Sequence, residues 1–215
     1  HNTSFYQRYS ERIAIREGPN KMINFEEYLL ERKSSVINKE KRKVSKAQLK
    51  EMIANKDSSI ADVDVSEIKD MSFLFKDSDF GGSWTADLSG WDTSKVENMR
   101  GMFWNCKELT KIELPHTQNV KDMIRMFVGC LKLVEAKIPH TQNVEYMEGI
   151  FEHCKSITNV GINDITKVKD TSDMFYGCEQ LEQDFSSWDV EGKTKYGMFY
   201  GCTKMKGKNF YPKNY

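Results

Sequence analysis

No apolar run in this chain approaches the roughly 20 residues needed to cross a bilayer, so the sequence offers no candidate membrane-spanning helix. Neither sign of charge is in excess: 32 Lys and Arg face 32 Asp and Glu, which argues against a nucleic-acid binder. The balance conceals a mild asymmetry, with 13 basic against 8 acidic residues over 1–58. No G-x-S-x-G, H-E-x-x-H, P-loop or dinucleotide fingerprint occurs, which removes the commonest hydrolase, metalloprotease and nucleotide-binding chemistries. C-x-x-C is also missing, so zinc ribbons and fingers are excluded. An odd total of five cysteines rules out complete pairing within the chain. Position 1 is histidine, so the chain is read as trimmed or processed, with any leader out of view.

What the chain does have is a period. Cys106, Cys130, Cys154, Cys178 and Cys202 recur every 24 residues, and Phe103, Phe127, Phe151, Phe175 and Phe199 keep step three positions earlier. Phe75 precedes that series by 28 residues. Fixed periods in this range mark stacked repeats, each burying its apolar face against its neighbours. With the phenylalanine as anchor, apolar residues fall at −7, −4, −1, 0, +3 and +6, close to a 3.6-residue period. That half of each unit is therefore helical or a string of 3₁₀ turns.

The other half alternates, pairing Ile112 with Leu114, Ala136 with Ile138 and Val160 with Ile162. Period two predicts short strands with one buried face, stopped by Pro115 and Pro139. Stacking in register sets Lys111 beside Glu135 and Glu113 beside Lys137, opposite charges on one exposed face. The predicted class is an α/β repeat solenoid, leucine-rich-repeat-like, of short parallel strands and short helical segments with a helical N-terminal cap. Its expected divisions are a helical segment and cap over 1–58, six coils over 59–205 and a tail over 206–215. Gly81-Gly82 marks a loop in the wider first spacing. In the last unit Gly192 replaces an aliphatic residue, as suits a terminal coil. The tail from Asn209 to Pro212 either begins another strand or is a scar of truncation.

Within 1–58, Ser45-Lys46-Ala47-Gln48 is a capping box ahead of Leu49, Met52 and Ile53 on one helical face. Phe25, Tyr28, Leu29 and Val36 offer a second helix. Tyr6, Tyr9, Ile13 and Ile15 offer another helix or a loosely held start. The charge run from Lys39 to Lys43 is a solvated connector or an electrostatic contact site.

Trp91-Asp92-Thr93-Ser94-Lys95-Val96-Glu97-Asn98-Met99, ending Gly101-Met102-Phe103 with Cys106 and Leu109, closely resembles the BspA-like repeat family. That family includes mycoplasma lipoprotein repeats. Asp173–Cys178 and Gly197–Cys202 match the second half of the motif, and the likeness covers about residues 60–205. Trp91 gives way to Pro115, Pro139 and Asn163 in the units that follow. The resemblance implies a leucine-rich-repeat-like solenoid on a bacterial or protist cell surface, with adhesion and host-protein binding as roles.

Candidate chemistry is sparse. The identical hexapeptides Pro115–Val120 and Pro139–Val144 stack His116 on His140, between Asp92 and Asp164. Imidazole and carboxylate could hold zinc or another divalent metal there, which would make a metal-dependent enzyme. The simpler reading makes these residues turn and cap formers. The cysteines read as a column of small buried thiols. No cofactor is indicated. Aromatics suit a contact surface: Trp84 beside the Gly81-Gly82 loop and Trp104 beside Met102-Phe103 are the preferred pair. The charged strand residues Lys111, Glu113, Glu135 and Lys137 are further candidates. The expected function is a non-enzymatic recognition or adhesion module, on the cell surface or secreted, binding a protein or glycan. The alternative is a cytoplasmic inhibitor or scaffold, where five unpaired thiols would persist.

Overall fold

The computed structural model describes residues 41–215, together with the backbone of two short strands further upstream. The chain divides into two compact units, 1–41 and 42–215. In the first, β1 (Ala14–Arg16) pairs antiparallel with β2 (Met22–Asn24), setting Ile15 opposite Ile23. Ile15 thus lies in a strand rather than a helix, as suits a β-branched residue opposite another. Tyr6, Tyr9, Ile13 and the expected helix from Phe25 to Val36 lie outside the described residues.

The second unit starts earlier than position 59 because residues 42–58 are hydrogen-bonded into it. Strand β3 (Arg42–Lys43) pairs in parallel with β4 (Val63–Asp64). Helix α1 (Lys46–Ala54) follows, with its capping box closed: Ser45 Oγ accepts from the Gln48 N–H at 3.3 Å, and Gln48 Oε1 accepts from the Ser45 N–H at 2.8 Å. Those bonds satisfy two backbone donors that a helix start otherwise leaves bare. Leu49, Met52 and Ile53 are buried against the first coil.

From there the chain winds in coils that hydrogen-bond to one another. Parallel bridges link Asp70 to Asn98, Asn98 to Asp122, Asp122 to Tyr146, Tyr146 to Asp170 and Asp170 to Thr194. A second rung is the parallel sheet β5 (Lys111–Glu113), β6 (Glu135–Ile138) and β7 (Asn159–Ile162). The alternating residues form strands here because Leu114, Ala136, Ile138, Val160 and Ile162 turn one face inward, where they are buried.

Between the rungs the phenylalanine segment is a string of tight turns, with no α-helix. Its N–H groups divide their bonds by alternation. Met102, Trp104 and Cys106 donate three residues back within their own coil. Met99, Gly101, Phe103 and Asn105 donate instead to Asp122, Ile124, Met126 and Val128 of the next. A helix could not continue, because two residues per coil have positive φ, such as Gly101 with Asn105 and Arg125 with Gly129. Turns advance the inward positions at nearly helical spacing, which is why the sequence reads as helical there.

These positive-φ positions interlock. One member is glycine in each of four successive coils: Gly101/Asn105, Arg125/Gly129, Gly149/His153 and Asp173/Gly177. The side chain of one coil lies over the glycine of the next. A Cβ at Gly129 would come within 2.5 Å of Asn105 Oδ1, and one at Gly177 within 2.7 Å of His153 Nδ1.

Six phenylalanine rings stack through the centre, from Phe75 to Phe199. Centroid separations run from 5.0 to 5.7 Å, with the four central rings parallel within 5°. Beside them each thiol donates to the preceding coil: Cys106 to Phe75 O, Cys130 to Phe103 O, Cys154 to Phe127 O, Cys178 to Phe151 O and Cys202 to Phe175 O, all at 3.0–3.1 Å. Buried Thr93, Thr117 and Thr141 make the corresponding link forward, donating to His116 O, His140 O and Asp164 O. Residues 206–215 are part of the stack. Phe185 N–H donates to Phe210 O, and Asp189 bridges Lys213.

Candidate interaction face

The turn string points two residues in and two out, so positions −3, −2, +1 and +2 from each phenylalanine form an outer face. Its aromatics gather in two places. In the first coils Phe73 and Trp104 lie 6.3 Å apart under Lys76, whose Nζ is 5.1 Å from the Trp104 ring. A cation over an aromatic face is attracted by the ring quadrupole. Phe73 also lines a groove of about 640 Å³ beside α1, with Lys50, Ile53, Lys56 and Asp79. In the last coils Tyr176 and Tyr200 stack at 5.1 Å, with His153 edge-on to Tyr176. Tyr200 is 67% exposed and Tyr196 83%. Arg125 crosses the middle, pairing with Glu148 at 3.0 Å.

Trp104 is half-buried on this face. Trp84 is not on it, and the expectation of a contact residue there is corrected. Trp84 is only 8% exposed, packs against Phe80 at 5.1 Å and donates its indole N–H to Asp79 Oδ1. The loop folds back on itself, bridging Phe80 to Trp84, and thereby carries the indole inward. Asp79 also accepts from Lys56 at 2.7 Å and from Ser83, bonds that lower its pKa from 3.8 to about 2.

The strand charges meet in part. Lys111 and Glu135 pair at 3.4 Å. Glu113 and Lys137 are opposite each other in register, yet Lys137 reaches Glu135 at 3.6 Å instead. Half-buried Glu135 holds both cations, so this face has no single sign. A longer charge column runs beside the turns, Lys69, Glu97, Lys121, Glu145 and Lys169, with ion pairs at Lys121–Glu97 (3.1 Å) and Lys169–Glu145 (2.5 Å). Sequence reasoning did not pick out this column. Its signal was the alternation of Lys and Glu six residues before the phenylalanines from Phe75 to Phe175.

His116 and His140 are exposed and do not assemble a metal centre. Among the described residues no three of His, Cys, Asp or Glu come together as metal ligands. Asp92 and Asp164 instead use Oδ1 to accept the N–H of Ser94 and Thr166; the hydroxyls of those residues, and then these N–H groups, lower both pKa values. His153, at positive φ, turns away from the thiol column toward Tyr176. Burial pushes the Cys106 and Cys202 thiols up to about 12 and the other three well above 9.0, so none is a thiolate at neutral pH.

Taken together, the rungs, the ring column and the outward aromatics define a protein of stacked 24-residue coils. The chain belongs to the family described as Mycoplasma protein of unknown function, DUF285, which matches residues 40–138 and, overlapping them, 107–211. Neither a curated protein nor a solved structure matches it. Among the described residues, no helix is long and apolar enough to cross a membrane.

Proposed function

We propose that the stacked coils are a leucine-rich-repeat-like solenoid of the BspA-like kind, acting without catalysis to bind a protein or glycan partner, on the cell surface or secreted. The supporting observation is the aromatic content of the outer turn face. Leaving Tyr196 and Tyr200 largely in water forgoes burial that folding would otherwise use, and Tyr is enriched where partners dock. The hydrogen-bonded coils beneath hold these rings on a rigid support.

The cytoplasmic inhibitor or scaffold drew on the unpaired thiols. Their burial withdraws that support, because a thiol shut away from oxidant persists in either compartment. The full chain is to be tested against arrays of glycans and extracellular matrix proteins. Binding is expected, with Tyr196→Ala/Tyr200→Ala weakening it about tenfold at unchanged melting temperature. Equal binding by that variant, or hydrolytic turnover of an arrayed substrate, counts against the proposal.

A further inference from the structure

In the middle of the stack, three lysines pair with a carboxylate of the neighbouring coil. Lys95 holds Glu67 at 2.9 Å, Lys132 holds Glu108 at 2.6 Å and Lys155 holds Glu179 at 3.1 Å. Residues 192–215 depart from this pattern. They carry Lys193, Lys195, Lys204, Lys206, Lys208 and Lys213 and no Asp or Glu. Of these, Lys208 alone contacts a carboxylate, Glu182, among the described residues. Lys193 donates to the carbonyls of Thr166 and Val168, and Lys195 to that of Asn214. Lys204, Lys206 and Lys213 are exposed. The acid facing Lys213 is Asp189, whose Oδ1 already accepts from Asn214 and from the Glu191 N–H.

The same coil presents Tyr196 and Tyr200, the most exposed large aromatics among the described residues. Tyr215 adds to them, half-exposed where it packs edge-on to Phe199. Cations without a carboxylate contact, on the coil that also exposes these phenol rings and in the segment covering it, suit a partner that is anionic and has flat, weakly polar faces.

From this we infer that the last coil, with the segment covering it, binds an anionic polysaccharide, carboxylated or sulfated. Lys204, Lys206 and Lys213 would meet its charges, and Tyr196 and Tyr200 the C–H faces of its sugar rings. This rests on the recognition reading above and narrows its partner. A single-stranded nucleic acid is the other polyanion with flat faces, and the test below separates the two.

The test uses the full chain on surfaces bearing dextran sulfate or hyaluronan, in roughly 0.05 M and 0.3 M salt. Binding to at least one is expected, falling severalfold at the higher salt as screening demands. Lys204→Gln/Lys206→Gln/Lys213→Gln should weaken it about tenfold at low salt. Lys121→Gln/Lys132→Gln, which removes cations engaged by carboxylates, should leave it unchanged. Melting temperatures of both variants confirm that they fold. Undiminished binding by the triple variant overturns the inference. So does equal capture of poly-glutamate, a DNA oligonucleotide or phosphatidylserine vesicles. Each of those results leaves the recognition reading standing, which fails instead if neither protein nor glycan arrays are bound.

Discussion

The cysteines show how one residue type serves the repeat. Each Phe carbonyl in the central coils accepts the N–H of its own coil's Cys and the S–H of the next coil's, so a small apolar thiol fills the core and also links coils. Burial and the raised pKa together make the thiols inert in the folded chain. Iodoacetamide at mildly alkaline pH should modify none of them natively and all five in urea. Rapid native labelling would contradict the packing. Cys154→Ala should cost about 1–2 kcal/mol, read from urea midpoints, for a small cavity and one lost weak bond. At this scale the sequence was legible wherever the period supplied a frame, as for Phe127 or Cys130. Trp84 was not, because it sits in the insertion, where no neighbouring unit indicates which way a side chain faces.

At the scale of elements, α1 was readable from its capping box and the strands from their alternation. The turns imitated helix spacing. Their positive-φ residues gave no signal where they were not glycine: Arg125 and Asp173 look ordinary in the sequence. Charge between elements was only half legible, since register fixes which residues face each other but not which side chain closes the pair, as Lys137 shows. These pairs make stability depend on acid. Glu97, Glu145, Glu67 and Glu182 lie below their ordinary 4.5, chiefly through hydrogen bonds from lysines, and Asp79 lies near 2 rather than 3.8. A carboxylate depressed in the folded state binds protons first in the unfolded one, so its contribution is complete above the unfolded value and fades as pH falls through the folded one. Urea midpoints should therefore decline from about pH 4.5 toward pH 2. Asp79→Asn should flatten the lower part of that decline, and a midpoint unchanged between about pH 5 and pH 3 would refute the assignment.

Over residues 42–215 the coils are hydrogen-bonded to their neighbours along the stack, so the stability of this unit approximates a sum over adjacent interfaces. The period made the stacking legible. The proposed partner could not be read from it, because a repeat describes how coils meet each other and leaves the outer face free to vary. The interlocked turns and the alternating charge column carry a further consequence: the four coils from Gly101 to Gly177 count in twos. Excising residues 139–162 would set Lys121 against Lys169 and seat Arg125 on Asp173 where Gly149 had been. Excising 115–162 would bring Glu97 to Lys169 and Asn105 over Gly177, restoring both patterns. The shorter protein should then melt no lower than the longer one, although it has lost twice as many coils. A lower melting point for it would mean that any one coil can stand in for any other.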